Sequence, residues 1–246
     1  MENALRIGLS RQIALQTQMN VIANNLANVN TAGFKRDNVH LEEFRMKVAE
    51  MTEMDGRGKQ LSYVHDRAVL KNMSPGPIRH SGNELDVAIS GEGWFVIGGP
   101  DGERYSRNGE FKINNNGALV DNQGLPVLGE AGEIVFDSRE TKITIARDGT
   151  ISTNEGIKGK LRVITFDNEQ QLKKEGFNLF STEQPSRPVE APNLMQHMVE
   201  QSNVKPVLEL TRMIETVRAY TNQASMMKRT EELKSDAINK LAQMPG

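Results

Sequence analysis

Ile22-Ala23-Asn24-Asn25-Leu26-Ala27-Asn28-Val29-Asn30-Thr31-Ala32-Gly33-Phe34-Lys35 is the stretch on which the reading of this chain turns. Upstream of it the apolar spacing is helical. Leu5, Leu9 and Ile13 recur at four residues, and Leu15, Met19, Ile22 and Leu26 at four, three and four. The two sets lie on different parts of one helix surface, so residues 3 to about 31 are expected to form a helix with a broad or doubled apolar zone. Gly33 followed by Phe34 reads as the stop: a left-handed glycine at the position after the helix lets Phe34 pack back on Val29. Downstream, residues 35 to about 80 are polar and broken by Asp55-Gly56-Arg57-Gly58 and Ser74-Pro75-Gly76-Pro77. They read as an extended connector carrying short strands near Tyr63-Val64 and Ala68-Val69-Leu70, or as a simple surface linker.

Further out the pattern changes period. From residue 84 to about 182 short apolar clusters alternate with turn dipeptides. The clusters include Val87-Ala88-Ile89, Trp94-Phe95-Val96-Ile97, Leu119-Val120, Ile134-Val135-Phe136, Ile143-Thr144-Ile145 and Leu161-Arg162-Val163-Ile164. Asp101-Gly102, Asn108-Gly109, Asn116-Gly117 and Asp148-Gly149 separate them and supply positive φ at low cost. Six or more such strands without an intervening helical pattern predict an antiparallel sandwich or barrel. After prolines at 185, 188 and 192, helical spacing returns: Val207, Leu210, Ile214, Val217, Thr221 and Ala224, then a weaker continuation to Ile238 and Leu241. Pro206 suits the first turn of a helix over 206–241, with Asn203 as its cap. Such a helix is ~54 Å long at 1.5 Å per residue, more than one β domain can cover.

The fold class expected is therefore α+β, with long N- and C-terminal helices packing together as a coiled-coil-like domain around a central all-β domain. The segments are 1–34 (N-terminal helix), 35–83 (connector), 84–195 (β domain) and 196–246 (C-terminal helix).

Composition narrows the function. The net charge of −2 gives no electrostatic case for nucleic acid or an anionic membrane. The chain has no cysteine, which excludes disulfides, thiolate metal sites and a cysteine nucleophile. No 18-residue apolar run is present, and Arg6, Arg11, Gln12 and Gln16 interrupt the N-terminal segment, so neither membrane insertion nor a cleaved signal peptide is expected. His40, His65, His80 and His197 lack metal-ligand spacing. Gly91-Glu92-Gly93-Trp94-Phe95-Val96 has Val96 where a dinucleotide loop needs its third glycine, and reads as a bend between strands. Ser90 lacks the flanking glycines of a nucleophile elbow, and Asp121-Asn122-Gln123-Gly124 lacks calcium-loop spacing. Glu42 with Glu43 and Glu231 with Glu232 fall on solvated faces. No catalytic, cofactor-binding or metal-binding residue is assigned.

The opening stretch resembles the N-terminal signature of flagellar basal-body rod and hook proteins. Glu200-Gln201-Ser202-Asn203-Val204, with Met213-Ile214-Glu215 and Arg218-Ala219-Tyr220, resembles the C-terminal signature of the same family. Leu85-Asp86-Val87-Ala88-Ile89-Ser90-Gly91-Glu92-Gly93-Trp94-Phe95-Val96 and Tyr105-Ser106-Arg107-Asn108-Gly109-Glu110-Phe111 are similar to its middle. The run Asp148-Gly149-Thr150-Ile151-Ser152 and the chain length look most like the proximal-rod branch, with the distal-rod branch as the alternative.

The resemblance implies a structural subunit, exported by the flagellum's own apparatus without a cleaved leader and assembled in the periplasm with itself and other rod subunits. Its end helices would form the axial tube, ordering as they dock. The subunit-interface residues expected are Leu5, Leu9, Ile13, Met19, Ile22, Asn24, Asn25, Leu26, Asn28, Val207, Leu210, Ile214, Val217, Tyr220, Ala224, Ile238 and Leu241. Asn20, Asn24 and Asn28, spaced by four, read as an amide ladder that fixes register between subunits, as buried asparagines do in coiled coils, or else as a solvated face with turn-prone residues near a helix end. Two other classes stay open: a secreted β-domain binding module dimerised by its helices, and an enzyme housed in the β domain.

Overall fold

Helical spacing at the two ends becomes two helices, α1 (Glu2–Ala27) and α2 (Pro206–Ala242), in the computed structural model, which describes residues 2–47 and 60–242 and the side chains of 6–40 and 70–240. Pro206 opens α2 as the spacing predicted: the Glu209 N–H donates to the Lys205 carbonyl at 3.1 Å, so the proline nitrogen is one that needed no partner. At 37 residues α2 is ~55 Å long. α1 stops at Ala27, short of residue 31. Asn28 draws the backbone into a turn instead, with the Thr31 N–H on its carbonyl at 3.2 Å and the Thr31 hydroxyl on its side-chain oxygen at 3.2 Å.

The described residues sort into two units. The first draws on 1–26, 37–70 and 205–246, the second on 27–36 and 71–204. In the first, the stretch expected to be a connector contributes two long strands, Asp37–Lys47 and Gln60–Lys71, which pair with each other. The Asp55-Gly56-Arg57-Gly58 punctuation lies outside the described residues.

The second unit is strand-rich. Its largest sheet has six strands in the order Lys173–Gly176, Leu179–Ser181, Gly102–Ser106, Trp94–Gly99, Val163–Thr165, Arg187–Pro188, and its pairings are antiparallel. The uninterrupted apolar run of the Trp94–Gly99 strand has a direct cause: both faces of this sheet are covered. Phe95, Ile97 and Val163 enter one apolar cluster with Val87, Phe111, Leu119, Ile151 and Leu161. Their strand neighbours Trp94, Val96 and Ile164 enter the other with Tyr105, Phe166, Leu172 and Phe180. Edge-on ring pairs hold each cluster, Phe95–Phe111 at 5.1 Å and Trp94–Phe180 at 5.0 Å between centroids.

Smaller antiparallel pairs close the ends: Val87–Ile89 with Leu194–Gln196, and Ile78–His80 with Met198–Glu200. Residues 196–204 therefore belong to the strand-rich unit, and the C-terminal helix starts at Pro206. Asn108-Gly109 is no positive-φ turn. Gly109 is small because the Val87 carbonyl oxygen occupies the place of a Cβ, 1.7 Å from where one would stand. The α+β class and a strand-rich middle are as the spacing predicted.

Candidate functional site

The last nine residues of the opening stretch, 27–35, fold into the strand-rich unit and meet the other end of the sequence there. Gly33 is left-handed (φ +67°), as expected, but it does not cap α1. Its N–H donates to the Glu200 carbonyl at 2.8 Å, and an added Cβ would lie 2.5 Å from the Arg107 carbonyl carbon and the Asn108 nitrogen. Glycine is required there by backbone approach as much as by φ.

Lys35, two residues on, is fully buried. Its ammonium donates to Glu200 Oε1 at 2.7 Å and to the Ser74 carbonyl at 3.0 Å. The Gly76 N–H shares that carboxylate oxygen at 2.9 Å, and Arg107 Nη1 reaches Glu200 Oε2 at 3.4 Å. Arg107 also donates to the Gly91 carbonyl at 2.8 Å and stands over the Trp94 ring, 5.6 Å from its centroid.

One carboxylate thus serves two buried cations. Burial pushes the Lys35 ammonium below its ordinary pKa; Glu200 opposes that shift and Arg107 adds to it. Burial likewise lowers Arg107, again against Glu200. Such a cluster adds little net stability over an apolar core, because desolvation consumes the Coulombic gain. What it does supply is penalty for mispairing: any arrangement that separates Glu200 from Lys35 leaves charge uncompensated in the interior.

Asn203 completes the junction. Expected as the cap of α2, it instead accepts the Arg36 N–H at 2.8 Å and donates to the Asn72 and Ser74 carbonyls at 2.8 and 2.9 Å. Asn178 adds a bond to the Ala32 carbonyl at 3.0 Å, and Lys174 one to the Lys35 carbonyl at 3.1 Å. The residues just after α1 and just before α2 are held by the same set of side chains.

In the helical unit the contacts between α1 and α2 run in opposite directions along the chain. Gly8 lies against Gln223 and Met227, Gln12 donates to the Tyr220 hydroxyl at 3.0 Å, and Asn25 donates to Glu209 at 3.3 Å. The helices are therefore antiparallel. Asn25 is buried and also exchanges bonds with the Asp37 backbone, accepting its N–H at 3.0 Å and donating to its carbonyl at 2.8 Å. Arg212 pairs with the buried Glu209 at 2.8 Å.

On α2 the side chains in contact with α1 are Glu209, Tyr220, Gln223 and Met227. The apolar stripe faces outward. Val207 is 73% exposed, Leu210 48%, Ile214 52% and Val217 41%; on α1, Leu9 is 51% and Ile13 57% exposed.

The expected interface residues thus divide. Leu9, Ile13, Val207, Leu210, Ile214, Val217 and Ile238 are on the surface, as is Asn24. Met19, Leu26, Asn28, Tyr220 and Ala224 are half-buried. Ile22 and Asn25 lie inside the subunit. The side chains of Leu5 and Leu241, like those of His65, Glu42 and Glu43, lie outside the described residues. Sequence reasoning missed Lys35, Arg107, Glu200 and Glu209 as site residues; their signal was a charged side chain set inside an apolar or signature segment. Among the described residues no three potential ligands converge on a metal position, and no helix is long and apolar enough to cross a membrane.

End segments locked together by buried polar side chains, with apolar helix faces turned outward, are the construction of a structural subunit. Three family models match the chain: flagella basal body rod protein at residues 5–35, the flagellar hook protein FlgE/F/G D1 domain at 88–153, and the flagellar basal body rod FlgEFG protein C-terminal region at 195–240. The chain is 37% identical to the flagellar basal-body rod protein FlgF of Caulobacter vibrioides over 99% of its own length and 100% of that protein's. It is 32% identical to FlgF of Mesorhizobium japonicum, with 98% of each chain covered. To the rod protein FlgG of Buchnera aphidicola it is 34% identical, over 94% of this chain and 95% of that one. The chain belongs to the flagellar basal-body rod protein family, whose members are structural components and not enzymes.

Proposed function

We propose that this chain is a subunit of the proximal part of the flagellar rod, and that it joins its neighbours through the outward apolar faces of its two helices. The observation that carries the reading is the stripe Val207, Leu210, Ile214 and Val217, exposed on α2. A fully buried aliphatic side chain contributes about 1.5–3 kcal/mol over an exposed one. Half-exposed residues at this spacing therefore hold a reserve of ~1 kcal/mol each that only a further helix can recover. Leu9 and Ile13 on α1 and Ile238 on α2 are exposed as well.

The proximal position is supported by the 37% identity to the FlgF of Caulobacter vibrioides over the full length of both chains; the distal, FlgG-like position is the second reading, since FlgG relatives reach 34–35%. The location is the basal body within the periplasm, reached through the flagellar export apparatus, a route that suits a chain with no disulfide to form. Packing of the end helices into a coiled-coil-like tube, and their ordering on docking, belong to the same reading.

The test is incorporation. Ile214→Asp combined with Val217→Asp is expected to leave the purified subunit's circular dichroism and melting unchanged and to remove the chain from isolated basal bodies. Normal incorporation of the double variant would reject the helix faces as the joining surface.

A further inference from the structure

Three asparagines in a row turn the hairpin between Lys112–Ile113 and Leu119–Val120, and the turn treats each differently. Asn114 is tied: its side-chain oxygen accepts the Asn116 and Ala118 N–H groups, both at 2.9 Å. Asn115 is exposed, but the residue after it is another asparagine, whose side chain hinders the next backbone nitrogen. Asn116 is exposed, its side-chain amide has no partner among the described residues, and Gly117 follows it. Gly117 has to be glycine, being left-handed (φ +81°) with the Phe136 carbonyl oxygen where a Cβ would stand. The least hindered kind of backbone nitrogen thus comes directly after a free carboxamide. The chain's other Asn-Gly pair is built differently. Asn108 is half-buried with its side-chain oxygen on the Glu110 N–H at 3.0 Å, and Gly109 is buried against the Val87 carbonyl.

We propose that Asn116 is a modification site, which loses its side-chain nitrogen through attack by the Gly117 backbone. The Gly117 nitrogen gives its proton to solvent base and bonds to Asn116 Cγ; the Cγ–Nδ2 bond breaks and ammonia leaves, taking a proton from water. Water then opens the cyclic imide at either carbonyl, giving aspartate or isoaspartate. No reagent besides water is consumed. One bond restrains the attack: the Gly117 N–H donates to the Asn114 carbonyl at 2.9 Å, so the step waits for that turn bond to open. A single bond at an exposed hairpin tip opens at the low end of a fold's local stability, far more often than the packed surroundings of Asn108. Both products change the hairpin. Aspartate adds a negative charge to the cleft that Asn116 lines together with Asp137. Isoaspartate inserts a methylene into a backbone pinned on two sides, by the Asn114 N–H on the Ala118 carbonyl at 3.0 Å and the Phe136 N–H on the Gly117 carbonyl at 2.8 Å. It therefore strains the strand through which Leu119 enters the apolar cluster.

The purified wild-type chain is incubated in mildly alkaline buffer and its peptides are mapped by mass, with isoaspartate read by enzymatic methylation. In the folded chain, conversion of Asn116 should outrun that of Asn108 by at least ~tenfold, and unfolding in urea should bring the two rates together. Equal rates in the folded chain overturn the proposal, as does an intact Asn116 in folded chain held for as long as the unfolded chain takes to convert. Melting gives a second readout. Aged wild type should melt below fresh wild type, while Asn116→Gln, whose longer side chain closes the ring far more slowly, should keep its melting point. The same loss on ageing in Asn116→Gln places the damage elsewhere and overturns the site.

Discussion

Glu200 is where single residues matter most. Replaced by Gln, it keeps its shape and loses the charge that Lys35 and Arg107 share, leaving two buried cations without a counter-ion. The expected cost is ~3–5 kcal/mol, read as a lower denaturant midpoint from the fluorescence of Trp94, the only tryptophan and itself buried in this unit. Lys35 sets a pH dependence. Its pKa is lowered on folding, so below the ordinary value of 10.5 the unfolded chain binds its proton more tightly than the folded one. Where the unfolded state holds more protons, stability rises with pH. Wild type should therefore gain on Lys35→Met as pH climbs through the interval below 10.5, and parallel midpoint curves would show that no such shift exists. Gly33→Ala should cost at least ~2 kcal/mol, since it joins a left-handed φ to a 2.5 Å approach of the 107–108 backbone.

At the scale of elements, the two helices are registered by polar contacts and not by their apolar stripes. Asn25 holds Glu209 and both backbone groups of Asp37, whereas Asn24 points to the surface. Asn25→Ala should lower the helical unit's melting by the equivalent of ~2 kcal/mol, because it removes the buried bonds to Glu209 and to both backbone groups of Asp37; Asn24→Ala should cost under ~0.5 kcal/mol. Equal losses from the two variants would remove Asn25 from its registering role. Asn25, beside the ladder expected of Asn20, Asn24 and Asn28, acts within one subunit, where it joins α1, α2 and the start of the Asp37–Lys47 strand.

Over the whole molecule, the order of segments along the chain differs from their grouping in space. Residues 27–36 and 71–204 share one unit although the first helix and two long strands intervene or flank them. A chain truncated after residue 204 retains Glu200 and Asn203 and should show cooperative unfolding of the strand-rich unit by Trp94 fluorescence. One truncated after residue 197 lacks the Met198–Glu200 strand and the shared carboxylate, and should not. Cooperative unfolding of the shorter chain would mean that the buried charges find other partners.

The helices, the strand-rich middle, the outward stripe and the family were all readable from spacing and signature, because periodicity and turn residues are properties of neighbours in sequence. Pro206 and the runs at 94–97 and 207–217 needed nothing more. The junction was not readable. Lys35 and Glu200 are 165 residues apart, and a lysine in a polar stretch gives no sign that it will be buried against a carboxylate from the far end. Gly33 showed the same limit: its left-handed backbone followed from its being glycine before an aromatic, but the 107–108 backbone that leaves no room for a Cβ is brought there only by the folded sheet. Local conformation is written in local sequence; which charges meet in the interior is decided when distant strands pair and water is excluded.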